Sequence, residues 1–531
     1  MLILSNISKR FPTDDNNLFK DISFILNAGE CTAIIGPNGS GKSTLIKIIM
    51  GLEPPTTGSI TFQPANLRIG YLSQDTLIDN EMTVEQVLFP QYQAIKEAED
   101  HLLSVDLSDA DAYNNALEHL VLLSETLDEP AGHRALNELG LGNIPLDTCV
   151  KILSGGQKTR LILAKLVASN PQLLVLDEPT NHLDVEALTW LETWLTSFKG
   201  AVLLVSHDRQ FIDRLAKRVI VLDTETDIVR IYAGNYSAYL EQQETELRKH
   251  AMQWKDQQIE IERLKADVSR TMARAVNREN ATVNDFQRGR AKKVAKNAQA
   301  KAHRLEKYLA SDEIVDKPTQ RWGINLDFTT THPVHGQALQ LKNLSIGYDQ
   351  PIIESINLSI NGQDRIALLG GNGTGKSTLI KTIVKTIPPL TGIIQTSISA
   401  KVGYLSQEQH TLNLNLNPLE TIQATASLSE AQTRSFLHQF LFAGDDALRP
   451  IRLLSHGERT RLVLAQLIAS GANLLIMDEP LNHLDIASKE KFEEALMTYN
   501  GAILSAIHDR YFVERFANKV WSIEEKLIVE D

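Results

Sequence analysis

Two stretches of this 531-residue chain carry glycines, a lysine and a hydroxyl at the spacing of a phosphate-binding loop. The first reads Gly36, Pro37, Asn38, Gly39, Ser40, Gly41, Lys42, Ser43, Thr44. The second reads Gly370, Gly371, Asn372, Gly373, Thr374, Gly375, Lys376, Ser377, Thr378. Each follows an apolar β-like run, CTAIIG or RIALLG, and precedes a helical one, which is the context GxxxxGK[ST] needs. Glycines let backbone N–H groups curl around phosphate oxygens that side chains would block. Lys42 and Lys376 then reach the β- and γ-phosphates. Ser43 and Ser377 offer hydroxyls to Mg²⁺, and the helix that starts there turns its positive end to the anion. A chance glycine turn could account for one copy, but hardly for two with the same elements following in order.

The runs LLVLDE and LLIMDE are buried-strand patterns that end in two acids. Asp177 and Asp478 sit where a carboxylate holds Mg²⁺ through water. Glu178 and Glu479 are placed to orient and deprotonate an attacking water. His207 and His508 follow two further apolar strands, AVLLVSH and AILSAIH. A histidine at a strand end is often structural, but beside an acid-tipped strand in both copies it reads as a γ-phosphate contact.

The elements that must position these residues repeat. IGYLSQ at 69–74 returns as VGYLSQ at 402–407, LSGGQKTRLILAKL at 153–166 as LSHGERTRLVLAQL at 454–467, and LLVLDEPTNHLD at 173–184 as LLIMDEPLNHLD at 474–485. The offset is 334 at Lys42, 333 at Gln74 and 301 at Ser154, Glu178 and His207. The first copy therefore carries 32 extra residues after its YLSQ, around 91–140, a polar and helical-looking segment. It reads as a surface elaboration or as a small arm that touches a partner.

Between the copies, 236–317 holds one glycine and no proline, a long-helix composition. Leu240, Leu247, Trp254, Ile261 and Val268 recur every seven residues, and Ala291, Ala295, Ala298, Ala302, Leu305 and Leu309 alternate four and three apart. Two paired helices follow, turning near 273–284, with arms of about 40–55 Å. The expected fold class is α/β, with two P-loop domains at 1–235 and 318–531 joined by an antiparallel helical hairpin.

Composition bounds what remains. An apolar fraction of 43% and a charged fraction of 22% are those of a globular chain. No apolar run approaches the ~18 residues of a membrane helix, so a membrane channel or carrier is excluded. The N-terminal apolar stretch is too short for a signal peptide. Cys31 and Cys149 give no disulfide framework, and a cytoplasmic location is expected. Residues 261–310 hold 13 Lys+Arg and 5 Asp+Glu, a net of +8, which leaves −21 on the rest of a chain totalling −13. A basic finger on an acidic body is the footprint of local RNA contact, and a solvated coiled-coil face is the plainer alternative. Arg288, Arg290, Lys292, Lys293, Lys296 and Lys301 crowd the second helix, and the alanine–leucine seam is expected to fold without them.

The combination of P-loop, YLSQ, LSGGQ, DEP and a strand-end histidine resembles the ATP-binding cassette ATPases over nearly all of both repeats. The resemblance implies ATP and Mg²⁺, and two sites each built from both halves. One would join Lys42, Glu178 and His207 to the signature residues Ser455, His456, Gly457 and Glu458. The other would join Lys376, Glu479 and His508 to Ser154, Gly155, Gly156 and Gln157. Gln74 and Gln407 match the family's glutamine that senses Mg²⁺ and water, and Phe11 and Tyr348 lie where the family stacks an aromatic on adenine. His456, Leu481 and Ile507 depart from the pattern, all in the second copy, so turnover at the two sites is expected to differ.

Two cassettes in one chain, the segment YAGNYSAYLEQQ that begins at Tyr232, and the basic second linker helix resemble the ABC-F family. That resemblance implies a ribosome partner, with the linker (Arg263–Lys307) reaching rRNA and tRNA, and a role as a translation factor or in antibiotic resistance. It implies a monomer with paired cassettes. The ATPase half of a transporter, needing a separate membrane partner, and a DNA-associated mechanical ATPase are the other readings.

Overall fold

The computed structural model describes all residues except 12–16, 74–77, 106–109, 126, 181–182, 184, 224–228, 281–284, 310–333, 372, 407–411, 443, 483, 508, 525 and 531. For 110, 125, 185, 275–280, 285–295 and 298 it describes the backbone alone.

The strands Leu173–Asp177 and Ala201–Val205 are apolar at almost every position and buried throughout, a pattern that requires cover on both faces. They lie in a six-stranded sheet ordered Ile69–Leu72, Leu173–Asp177, Ala201–Val205, Cys31–Ile35, Arg218–Leu222, Val229–Ala233, parallel except for the last pair. Leu174, Leu176, Val202 and Leu204 belong to one apolar cluster with Leu161 and Ala164 of the helix Gly155–Ala168. Leu173, Val175, Leu203 and Val205 belong to another with Leu45 and Ile49 of the helix Lys42–Ile49. Successive side chains thus feed two cores. The second cassette repeats the order in Val402–Leu405, Leu474–Asp478, Ala502–Ala506, Arg365–Leu369, Lys519–Glu524 and Leu527–Glu530. A three-stranded antiparallel sheet accompanies each.

This strand order places the chemistry. Asp177 is in register with Val205, and Val205 with Ile34, on three neighbouring parallel strands. Glu178, His207 and Gly36 therefore leave the sheet at one edge, the carboxyl ends of the strands.

The extra residues of the first copy form the helices Tyr92–Ser104, Ala110–Glu125 and Glu129–Glu138, as their composition suggested.

The chain divides into two compact units, 1–236 with 323–531, and 237–322. Both cassettes lie in the first unit, and several bonds cross between them. Tyr236 Oη donates to Glu490 Oε1 at 3.0 Å, Arg209 pairs with Glu493, and Arg510 pairs with Glu192.

The second unit is built on the helices Tyr236–Asn280 and Asp285–Leu309. Their 45 and 25 described residues span about 68 and 38 Å. Of the first seam, Ile261 is 4% exposed, whereas Leu247 is 37% exposed. Lys301 Nζ donates to Asp267 Oδ2 at 2.6 Å and reaches Thr271 Oγ1 at 3.5 Å. Asp267 and Lys301 are equidistant in sequence from residue 284, as an antiparallel pair requires. Lys301 thus bridges the two helices through an exposed ion pair, of the kind that contributes little to stability. The side chains of Arg288, Arg290, Lys292 and Lys293 lie outside the described residues. No described helix is long and apolar enough to cross a membrane.

Candidate active site

The phosphate loops have the backbone their glycines permit. Gly41 and Gly375 cap their helices at φ 88° and 105°, in the left-handed region. A Cβ at Gly41 would stand 2.8 Å from Leu18, so both the conformation and the packing require glycine. Lys42 Nζ donates to the carbonyls of Gly36 and Pro37, each at 2.9 Å, and Lys376 Nζ to those of Gly370 and Gly371 at 2.8 and 2.9 Å. The two lysines hold the same pose in both cassettes. Burial lowers the proton affinity of Lys42, against the opposing pull of Glu178, Asp485 and Asp177. Ser377 Oγ donates to Asp478 Oδ1 at 3.1 Å, which brings together two of the residues expected at Mg²⁺.

Glu178 and Glu479 adopt φ 53° and 50°, left-handed values unusual for a residue with a side chain. Such a conformation costs about 1–3 kcal/mol and persists where the surroundings fix it. Here Glu178 N donates to Val205 O at 2.9 Å and Glu479 N to Ala506 O at 3.1 Å. Each acid is thereby pinned to the strand that leads to the histidine. His207 N donates to Glu178 Oε2 at 3.2 Å, and His207 Nε2 stands 3.4 Å from Glu178 Oε1. Burial pushes the Glu178 carboxyl up to about 7, against Lys42 and Lys489, while Asp177 adds to the rise and the His207 N–H opposes it. Burial, with Lys42 and then Lys489, pulls the His207 imidazole down to about 3. At neutral pH this is a neutral imidazole beside a carboxylate poised to take a proton.

A cavity of about 590 Å³ contains these groups, within the ordinary range for a small-molecule site. Both cassettes line it. Phe11, Asn38, Gly39, Gly41, Lys42, Ser43, Thr44, Asp177, Glu178 and His207 come from the first, and His456, Glu479, Asn482, Lys489 and Asp509 from the second. Asn38 N donates to Asp485 Oδ2 at 2.8 Å, 447 positions away. The other Asp485 oxygen accepts from Ser488 N at 2.8 Å and caps the helix Ile486–Thr498. Burial alone would raise this carboxyl, and the Asn38 and Ser488 donors hold it low instead. Glu178 Oε1 and His207 Nδ1 are buried without a hydrogen-bond partner among the described residues. Unmet polar atoms beside a lysine and a row of loop N–H groups suit a hydrated triphosphate.

The signature residues have a local role that the motif alone did not disclose. Ser154 and Gln157 form a reciprocal capping box at the start of the helix Gly155–Ala168, and Ser455 and Glu458 do the same for His456–Ala469. S-x-x-Q and S-x-x-E before an apolar run were the available signal. Two of the three departures stand at the positions of a facing pair in the first cassette. Thr180 Oγ1 and Ser206 Oγ lie 3.4 Å apart in the first cassette. Their counterparts 301 residues on, Leu481 and Ile507, are 4% and 2% exposed in one apolar core. Phe11 and Tyr348 are 36% and 62% exposed, and the Phe11 ring lies 5.2 Å from Lys9 Nζ. Gln74, Gln407, Asn372 and His508 lie outside the described residues.

The chain is similar to known proteins in sequence and in fold. A family model described as ABC transporter matches residues 19–181 and 353–482, and a second with the same description matches 222–326. ABC transporter F family member 2 of Arabidopsis thaliana is 32% identical over 98% of this chain and 76% of its own length. The chain belongs to the ABC-F family. Its two cassettes are ATPase domains, a class that binds ATP and generally Mg²⁺. The Bacillus subtilis (strain 168) protein YdiF is 36% identical over the whole of this ABC-F chain and 81% of its own. Among solved structures, the archaeal ribosome recycling factor aABCE1, in complex with the ribosomal stalk protein aP1, superposes with a TM-score of 0.60. It is 17% identical, over 97% of this chain and 87% of that one, a likeness of fold.

Proposed function

We propose that this ABC-F protein is a cytoplasmic, monomeric ATPase acting on the ribosome, in which closure of two paired cassettes on ATP governs engagement of the basic linker with RNA near the tRNA sites. Lys42 and the loop N–H groups bind the β- and γ-phosphates, with the signature helix at His456 approaching from the other cassette. Glu178 accepts a proton from the attacking water, and neutral His207 donates a hydrogen bond towards the γ-phosphate. Ser43 with Asp177, and Ser377 with Asp478, are the residues that would hold Mg²⁺. When bound, that ion neutralises charge developing between the β- and γ-phosphates. Lys376 and Glu479 play the corresponding parts in the second site, with Ser154 and Gly156 facing it.

The observation that carries the ribosome reading is the net charge of +8 on 261–310, set on two long helices in a chain that is otherwise acidic. Folded RNA is bound through backbone and shape, which suits a stiff basic helix. The structural neighbour aABCE1 is itself a ribosome recycling factor, which supports the same reading. The test replaces Arg288, Arg290, Lys292, Lys293 and Lys296 with Gln and leaves Lys301, which bridges the helices. Basal ATPase and helicity are expected to persist while co-sedimentation with ribosomes weakens. Unchanged ribosome affinity would reject the linker as the RNA-reading element. Translation assays with and without ribosome-bound antibiotics separate a translation factor from a resistance protein.

A further inference from the structure

The first site contains a cation that neither the phosphate loop nor the signature supplies. Lys489 lies on the helix Ile486–Thr498 of the second cassette, one turn beyond the Asp485 cap, and lines the same cavity as Lys42, Glu178 and His207. Its ammonium donates to the backbone carbonyl of His207 at 3.0 Å. It also stands 3.5 Å from Asp509 Oδ2, and its side chain is 12% exposed. His207 is thus gripped on both sides of its Cα by different cassettes. Its N–H goes to Glu178 of its own cassette, and its C=O accepts from Lys489 of the other.

We infer that Lys489 is a positioning residue for ATP hydrolysis at the Glu178 site, contributed in trans, which fixes the His207 backbone and so the orientation of the His207–Glu178 pair only when the cassettes are apposed. The inference rests on the reading of Glu178 and Glu479 as the two bases.

Three features favour this over simple interface adhesion. The acceptor is a main-chain oxygen of the residue that reaches for the γ-phosphate, not a remote carboxylate. The lysine is itself oriented by Asp509, whose other oxygen caps the helix Arg510–Phe516 through Phe512 N at 3.0 Å. The arrangement is also one-sided. The residue 301 positions before Lys489 is Leu188, a side chain with no donor. The Glu479 site therefore lacks this particular grip, which gives a physical cause for unequal turnover. After burial and Lys42, the Lys489 charge also acts on Glu178 and His207, favouring the ionised acid and the neutral imidazole.

The test uses the full chain in two backgrounds, Glu479→Gln, where the Glu178 site turns over, and Glu178→Gln, where the Glu479 site does. Lys489→Met removes the donor at nearly constant volume, and Lys489→Arg retains a cation. In the Glu479→Gln background, Lys489→Met is expected to lower kcat about 10–100-fold, the scale of a misplaced catalytic group, with KM and ATP binding within about twofold. In the Glu178→Gln background the fall should stay under about threefold. Lys489→Arg should recover most of the loss. Equal falls in both backgrounds, a matching loss of ATP binding, or no recovery with Arg would overturn the inference and leave Lys489 as interface support. The Glu178→Gln, Glu479→Gln double variant is the separate control. Parent-like turnover there refutes the base assignment, and the contrast between Met and Arg in the otherwise unchanged chain then decides the role of Lys489 alone.

Discussion

Arg209 of the first cassette and Glu493 of the second close a two-pronged ion pair inside the cassette interface. Arg209 Nη1 donates to Glu493 Oε2 at 3.1 Å and Nη2 to Oε1, with the guanidinium 4.2 Å from the Tyr511 ring. The two side chains are 1% and 8% exposed. Removing Arg209 leaves the Glu493 charge buried without its partner, a cost of about 3–5 kcal/mol, whereas Arg209 without Glu493 still has Asp509 Oδ2 at 3.8 Å. Arg209→Met should destabilise the cassette unit by about that amount, Glu493→Met by less, and the double variant by clearly less than the sum. Denaturant unfolding measures all three, and strictly additive effects would show that the pair is not coupled.

Glu178 gives a chemical and a thermodynamic expectation. The Glu178→Gln, Glu479→Gln double variant should retain ATP binding and lose about 10²–10⁴-fold in hydrolysis, the usual scale of general-base action. For stability, the carboxyl keeps its proton up to about 7 when folded, against an ordinary value of 4.5. Between those values the folded chain binds more protons than the unfolded one, so the contribution of Glu178 to stability falls as pH rises and is a full penalty above about 7. Glu178→Gln can still accept the His207 N–H and does not titrate. The nucleotide-free variant should therefore be more stable than the parent at about pH 8, by up to about 3 kcal/mol, with the gap closing towards about pH 4.5. Urea melts at several pH values measure this gap, and a constant difference would contradict it.

His456 shares its cavity with Lys42 and, among the described residues, with none of its own phosphate loop. Ser455→Arg, one residue earlier, places bulk and charge against the phosphates held by Lys42. Nucleotide trapping should fall at the Lys42 site while the Lys376 site continues to load. Labelled nucleotide with site-specific cross-linking distinguishes the two. Loss confined to the Lys376 site would reject a shared first site.

The phosphate loops, acid-tipped strands and paired sheets were legible because each rests on a short local pattern: LLVLDE is a two-faced buried strand wherever it occurs. The linker helices were legible from heptads, which mark a seam without fixing where either helix ends. Asp485 and Lys489 were illegible as site residues. Asp485 caps the helix that follows it, and nothing in a string of residues places it against Asn38, 447 positions earlier. The positive φ of Glu178 was hidden for the same reason, since its N–H finds Val205 only once the two strands pair.

The departures at Leu481 and Ile507 look independent in the sequence, yet their counterparts in the first cassette are paired. In the first cassette the hydroxyls of Thr180 and Ser206 face each other at 3.4 Å, and in the second both positions are apolar and buried. A hydroxyl placed alone against an apolar side chain loses its partner, at about 1–3 kcal/mol. Leu481→Thr and Ile507→Ser should each destabilise the second cassette on that scale, with a further cost for the volume removed. The double variant rebuilds the hydroxyl pair and should recover part of the loss, giving a favourable coupling energy of about 1 kcal/mol. A double-mutant cycle by denaturant unfolding measures it. Zero or unfavourable coupling would mean that the two positions were exchanged separately, and that the hydroxyl pair of the first cassette is not the unit that was replaced.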